Sequence, residues 1–94
     1  MRNAKQAQQE LLKLETATLP RLVTDEENAR TALLAADEVL EGIDAAPYNG
    51  YDARRRQSAE LAVGEARAWH TRARRALEKA QQRRARLLML LAAA

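Results

Sequence analysis

From Asp52 to Leu91 the chain runs forty residues without a proline, and small or apolar residues return at alternating three- and four-residue steps. Ala59, Ala62, Ala66, Trp69, Ala73, Ala76, Ala80, Leu87 and Leu90 make up that series. A repeat of about 3.5 residues keeps one stripe of a long helix turned toward a partner helix, whereas a strand would alternate every second residue. Val63, Leu77, Leu88 and Leu91 widen the stripe to one side, as suits a helix with more than one neighbour, and Arg83 and Arg84 interrupt it. Composition agrees: Ala, Leu, Arg, Glu and Gln dominate, with three Gly, two Pro and no Phe, so the expectation is an all-α chain with a thin core.

The first half repeats the pattern in two phases. Ala4, Ala7, Leu11, Leu14 and Thr18 form one, and Leu22, Ala29, Leu33, Ala36, Leu40 and Ile43 the other. The slip falls near Pro20, which lacks a backbone donor, crowds the preceding turn and disfavours helical geometry at Leu19. Thr24 and Glu27 have capping-box spacing, so a fresh helix starting at Asp25 is an alternative to a kink over residues 20–24. Residues 2–43 and 52–93 are equally long, which at about 1.5 Å per residue gives two rods of about 63 Å. Folding the segment before Pro20 back on itself would leave the far half of the second helix without a partner. The fold expected is therefore one domain over 1–94, a long antiparallel helical hairpin kinked or broken near Pro20. A three-helix bundle is the alternative.

The reversal is expected at residues 44–51. Gly42 and Asp44 loosen the first helix end, Pro47 forbids continuation, Asn49 and Gly50 tolerate positive φ, and Asp52 is placed to cap the second helix. Tyr48 and Tyr51 flank this turn and are expected to pack over the hairpin end. A reversal between Pro47 and Tyr48 pairs residues whose numbers sum to about 95. Leu33 then meets Ala62, Leu22 meets Ala73, Leu14 meets Ala80 or Gln81, and Ala7 meets Leu87 or Leu88. Small residues against small residues or leucine let the helix axes approach closely.

The same register sets charge against charge. Arg30 is expected to face Glu65, Asp37 to lie near Arg56, Glu41 near Arg54 and Arg55, Asp25 near His70 and Arg72, Glu15 near Lys79 or Arg83, and Glu10 near Arg84 or Arg86. Such exposed pairs contribute about 0 to 1 kcal/mol each, so they fix alignment more than stability. They do not cancel the imbalance. Residues 67–86 carry eight bases and one acid, and the facing residues 9–28 carry five acids and two bases, leaving about four positive charges on the open half. Arg67, Arg72, Arg74, Arg75, Arg83, Arg84 and Arg86 are the candidate contacts to phosphate or to an acidic partner. No helix-turn-helix or single-strand platform motif accompanies them.

Leu87, Leu88, Met89, Leu90 and Leu91 cover every side of a helix, and Leu11 and Leu12 lie on adjacent sides of the opposite arm. A two-helix hairpin buries only one side of each, so these residues are the candidate protein interface, with association into a dimeric four-helix bundle as the simplest use. Leu34 and Val39 also fall off the seam. Membrane-surface attachment beside Arg83, Arg84 and Arg86 is a weaker use of a short apolar face. The apolar run is too short to span a bilayer. The start of the chain is polar and has no signal-peptide core, which makes the cytoplasm the expected location.

Catalytic chemistry is not suggested. Cysteine is absent, and the one His and one Ser lie in no nucleophile motif. His70 reads as a flanking residue paired with an acid rather than a metal ligand, which would need companions. Trp69 is large for an alanine seam and is expected to cover the kink near Val23 and Glu26 or to border a second subunit. No cofactor, metal or small-molecule substrate is expected. The function expected is a non-enzymatic protein-interaction module, an adaptor, inhibitor or assembly factor, with a basic helical dimer that binds RNA or DNA as the alternative.

Overall fold

The computed structural model describes residues 3–45 and 53–93. Helix α1 spans Ala4–Lys13, a π-helical turn covers Leu14–Thr18, α2 spans Leu19–Ala45, and α3 spans Ala53–Ala93. Asn3 caps α1, its side chain accepting from the Gln6 N–H at 2.8 Å. The two arms lie antiparallel as a rod of 68 × 19 × 15 Å. Its radius of gyration is 20.4 Å, against about 12 Å for a compact domain of this length. No strand occurs among the described residues. Pro47, Tyr48, Asn49, Gly50 and Tyr51, the expected turn, lie outside the described residues, as does Asp52. Gly42 and Asp44 do not end the first arm, since α2 continues through both to Ala45.

The first arm neither breaks nor restarts at Asp25: Thr24 and Asp25 sit inside α2, and the three-helix alternative is not adopted. The phase slip is absorbed instead by the π turn. Ala7 to Leu14 and Leu22 to Ala29 are each seven residues, but Leu14 to Leu22 is eight. A π turn holds one residue more than an α turn, and here the Leu19 N–H donates to the Leu14 carbonyl five residues back. The extra residue therefore keeps both phases of the arm facing α3. Pro20 follows at once, so the widened turn lies at the carbonyls its ring crowds. Thr16 Oγ1 also donates to the Leu12 carbonyl at 2.7 Å.

The seam of α3 departs from the expected series at Ala62, Ala76 and Leu90, while Trp69 is half-buried as expected. Ala59, Ala73, Ala80 and Leu87 are buried, with Ala66 half-buried, as expected. Between them, Val63 is buried and His70, Leu77, Arg84 and Leu91 are half-buried, while Ala62, Ala76 and Leu90 are exposed. Steps of three and four fit either choice. Val63 and Leu77 turn inward because they bury more apolar surface than the alanines one position earlier.

Across the rod, Ala7, Leu14, Ala80 and Leu87 form one buried cluster, with Leu11, Leu19, Leu22 and Leu91 packed on it. This matches the expected register. Among the described residues none of the larger side chains is fully enclosed, as follows from a body only two helices wide.

Candidate interaction surfaces

The middle of the seam is polar. Glu26 is buried to 8% exposure, four residues on from Leu22 and on the same helix face. Its carboxylate accepts from Arg30, Nη2 to Oε2 at 2.6 Å and Nε to Oε1 at 3.3 Å, and lies 3.0 Å from His70 Nε2 across the rod. The donors hold the Glu26 carboxyl below its ordinary range, Arg30 first and His70 second, against the opposing effect of burial. The same pairing raises Arg30. Beside this group the Trp69 Nε1–H donates to Asp25 Oδ1 at 3.4 Å, giving the half-buried indole a polar tip. Sequence reasoning gave His70 to Asp25 and Arg30 to Glu65. The structure gives both to Glu26, because the inward position on α2 belongs to Glu26 and Asp25 stands at the flank beside Trp69.

The ion pairs at the open end keep to the register but exchange partners by one turn or less. Arg83 pairs with Glu10 at 3.0 Å and Arg84 with Glu15 at 3.5 Å. Toward the closed end Arg56 pairs with Asp44 rather than Asp37, and with Glu60 on its own helix. Arg74 uses Glu78, one turn along, at 3.7 Å. Arg67, Arg72, Arg75 and Arg86 are exposed and make no ion pair among the described residues.

At the open end Leu87 is only 3% exposed and is taken up by the hairpin's own seam. Leu11 and Leu91 are half-buried along it. Leu12, Leu88, Met89 and Leu90 remain outside, Leu12 at 65% and Met89 at 73% exposure. Leu34, Val39 and Leu61 are exposed nearer the closed end. Sequence reasoning missed Leu61. Its position two residues past Ala59, on the side of the helix opposite the seam, was the available signal.

Among the described residues, no three His, Asp or Glu side chains gather closely enough to hold a metal ion. No helix among the described residues is long and apolar enough to cross a membrane. The depressions along the rod, such as that between Gln57, Leu61, Gly64 and Ala68, are shallow and open to solvent.

No protein-family model, curated protein or solved structure matches this chain. Its surfaces are therefore interpreted from their own chemistry. They comprise an apolar end, a polar clasp within the seam, and charged outer helix faces.

Proposed function

We propose that the chain is a non-enzymatic protein-interaction module, an adaptor, inhibitor or assembly factor whose helical faces bind other helices. The observation that carries this reading is the set of large apolar side chains left outside the seam at the open end: Leu12, Leu88, Met89 and Leu90. Water-exposed leucines grouped at one end of a rod favour burial against a further helix, and two such ends meeting would complete a four-helix bundle. The test is light scattering behind a sizing column, with Leu12→Glu and Leu88→Glu combined. Association lost in the variant supports the reading. An association unchanged by both glutamates, with no other helix bound at the open end, overturns it.

A second reading has its own support. Arg67, Arg72, Arg75 and Arg86 expose charge without intramolecular neutralisation among the described residues, which suits a basic dimer on RNA or DNA. Binding to a mixed nucleic-acid pool at about 50 mM salt, where counterion release favours it, is its test. Failure to bind there removes it.

A further inference from the structure

The outer faces of α2 and α3, turned away from the seam, carry opposite charge at opposite ends of the rod. On α2, residues 25–45 hold seven acids and one base. On α3, residues 73–93 hold six bases and one acid. Within the first segment Glu27, Leu34, Glu38 and Glu41 recur at helical spacing along one exposed stripe. On α3, Arg72, just before the second segment, and Arg75, Lys79 and Arg86 within it do the same. Neither Glu38 nor Glu41, nor any of the four bases, makes an ion pair among the described residues, while Glu27 adds to the field on Arg30. Each stripe runs from its first to its last residue over about 21 Å.

The spacings match at all four positions only in one direction. With the helices antiparallel, Glu41 falls opposite Arg72, Glu38 opposite Arg75 and Glu27 opposite Arg86, while Leu34 lies over the aliphatic stem of Lys79. With the helices parallel, Glu27, Leu34 and Glu41 can again fall opposite Arg72, Lys79 and Arg86, but Glu38 then meets Arg83, which Glu10 already holds, and Arg75 meets Arg30. Because the two stripes sit on opposite edges of one rod, they cannot satisfy each other within a copy.

We propose that a second copy of this chain docks its α2 acidic stripe on the α3 basic stripe, in the antiparallel sense, with both rods pointing the same way and offset by about 27 Å. This rests on the protein-interaction reading above and names one partner for it. The contact is heterologous, so each copy offers a free stripe on either side and assembly continues as a filament or closes as a ring. It also differs from the leucine end in its response to salt. Residues 4–24 carry three bases and two acids, and with residues 73–93 they give the open half six positive charges, so joining two open ends is opposed by like charge. Salt strengthens that contact and weakens the stripe contact.

The experiment is sedimentation velocity on the whole chain at about 50 and about 500 mM salt. Two charge-reversed variants accompany it, Glu38→Arg with Glu41→Arg and Arg72→Glu with Arg75→Glu. All four positions are exposed, and circular dichroism checks that each variant stays helical. The expected result is extended association of the parent chain at low salt, weakened roughly tenfold at high salt. Neither variant associates alone, and an equimolar mixture of the two recovers the assembly. A monomeric parent at low salt, a variant that associates alone as the parent does, or a mixture that fails to recover it overturns the proposal. So does loss of duplex DNA binding in the arginine variant when the parent does not self-associate, which assigns the basic stripe to nucleic acid. If association instead grows with salt and is lost with Leu12→Glu and Leu88→Glu, the stripes fail and the open-end reading stands. If neither pattern appears, both fall.

Discussion

Leu87→Ala and Met89→Ala differ by two positions and should differ in stability by several-fold. Leu87 is 3% exposed and packed against Ala7, Leu14 and Ala80, whereas Met89 is 73% exposed on the far side of the same helix. Truncating a buried leucine removes its transfer free energy and leaves a cavity, at a cost of about 2 to 5 kcal/mol. A two-helix rod can close partly over the gap, so a cost of about 2 to 3 kcal/mol applies here. For a domain of this size that lowers the melting temperature by about 10 to 20 °C. Met89→Ala removes a side chain that water already surrounds and should change stability by less than about 0.5 kcal/mol. Thermal unfolding followed by far-UV circular dichroism measures both, at a dilution where the chain does not associate, so that an interface does not contribute. Equal losses for the two variants would refute the assignment of Leu87 to the seam and of Met89 to the surface.

Two further outcomes follow from the seam and the π turn. The Glu26 carboxyl is held below its ordinary value of 4.5, so its contribution to stability is complete above that value and is lost as pH falls through the lower folded value. Denaturant midpoints across that acidic window should fall less steeply for Glu26→Gln than for the parent, and identical slopes would rule out the clasp as a source of acid sensitivity. Deleting Ala17, an exposed residue of the π turn, should leave an ordinary α-helix with seven residues from Leu14 to Leu22, at a cost within about 1 kcal/mol. Deleting Ala35 from the regular part of α2 shifts every earlier seam residue of that arm out of phase, and the hairpin should unfold at a far lower denaturant concentration. Similar midpoints for the two deletions would contradict the role given to the π turn.

The hairpin, its register and its leucine surplus were legible in the sequence because each depends on a long pattern. Five large apolar residues in a row cannot all face one neighbour, so some of Leu87 to Leu91 had to be outside. Which ones was less legible. A seam of alanines gives little contrast between Ala62 and Val63 or between Ala76 and Leu77, and the alternating steps admit both. The slip at Pro20 was visible, but a kink, a break and a one-residue π insertion all produce it. The geometry of the clasp was hidden for a different reason. A carboxylate looks like a surface group in sequence, and only the packed arms show that Glu26 turns inward with both Arg30 and His70 reaching it.

A rod two helices thick is stabilised level by level, each pair of residues touching only the levels above and below. The clasp of Glu26, Arg30 and His70 sits near mid-length, so the molecule behaves as two short zippers joined at a rivet. Opening at the leucine end can proceed to that rivet without loosening the closed half, and slow amide exchange should be concentrated around it. Partners that engage the two ends would then sense one another only through a narrow waist of polar contacts.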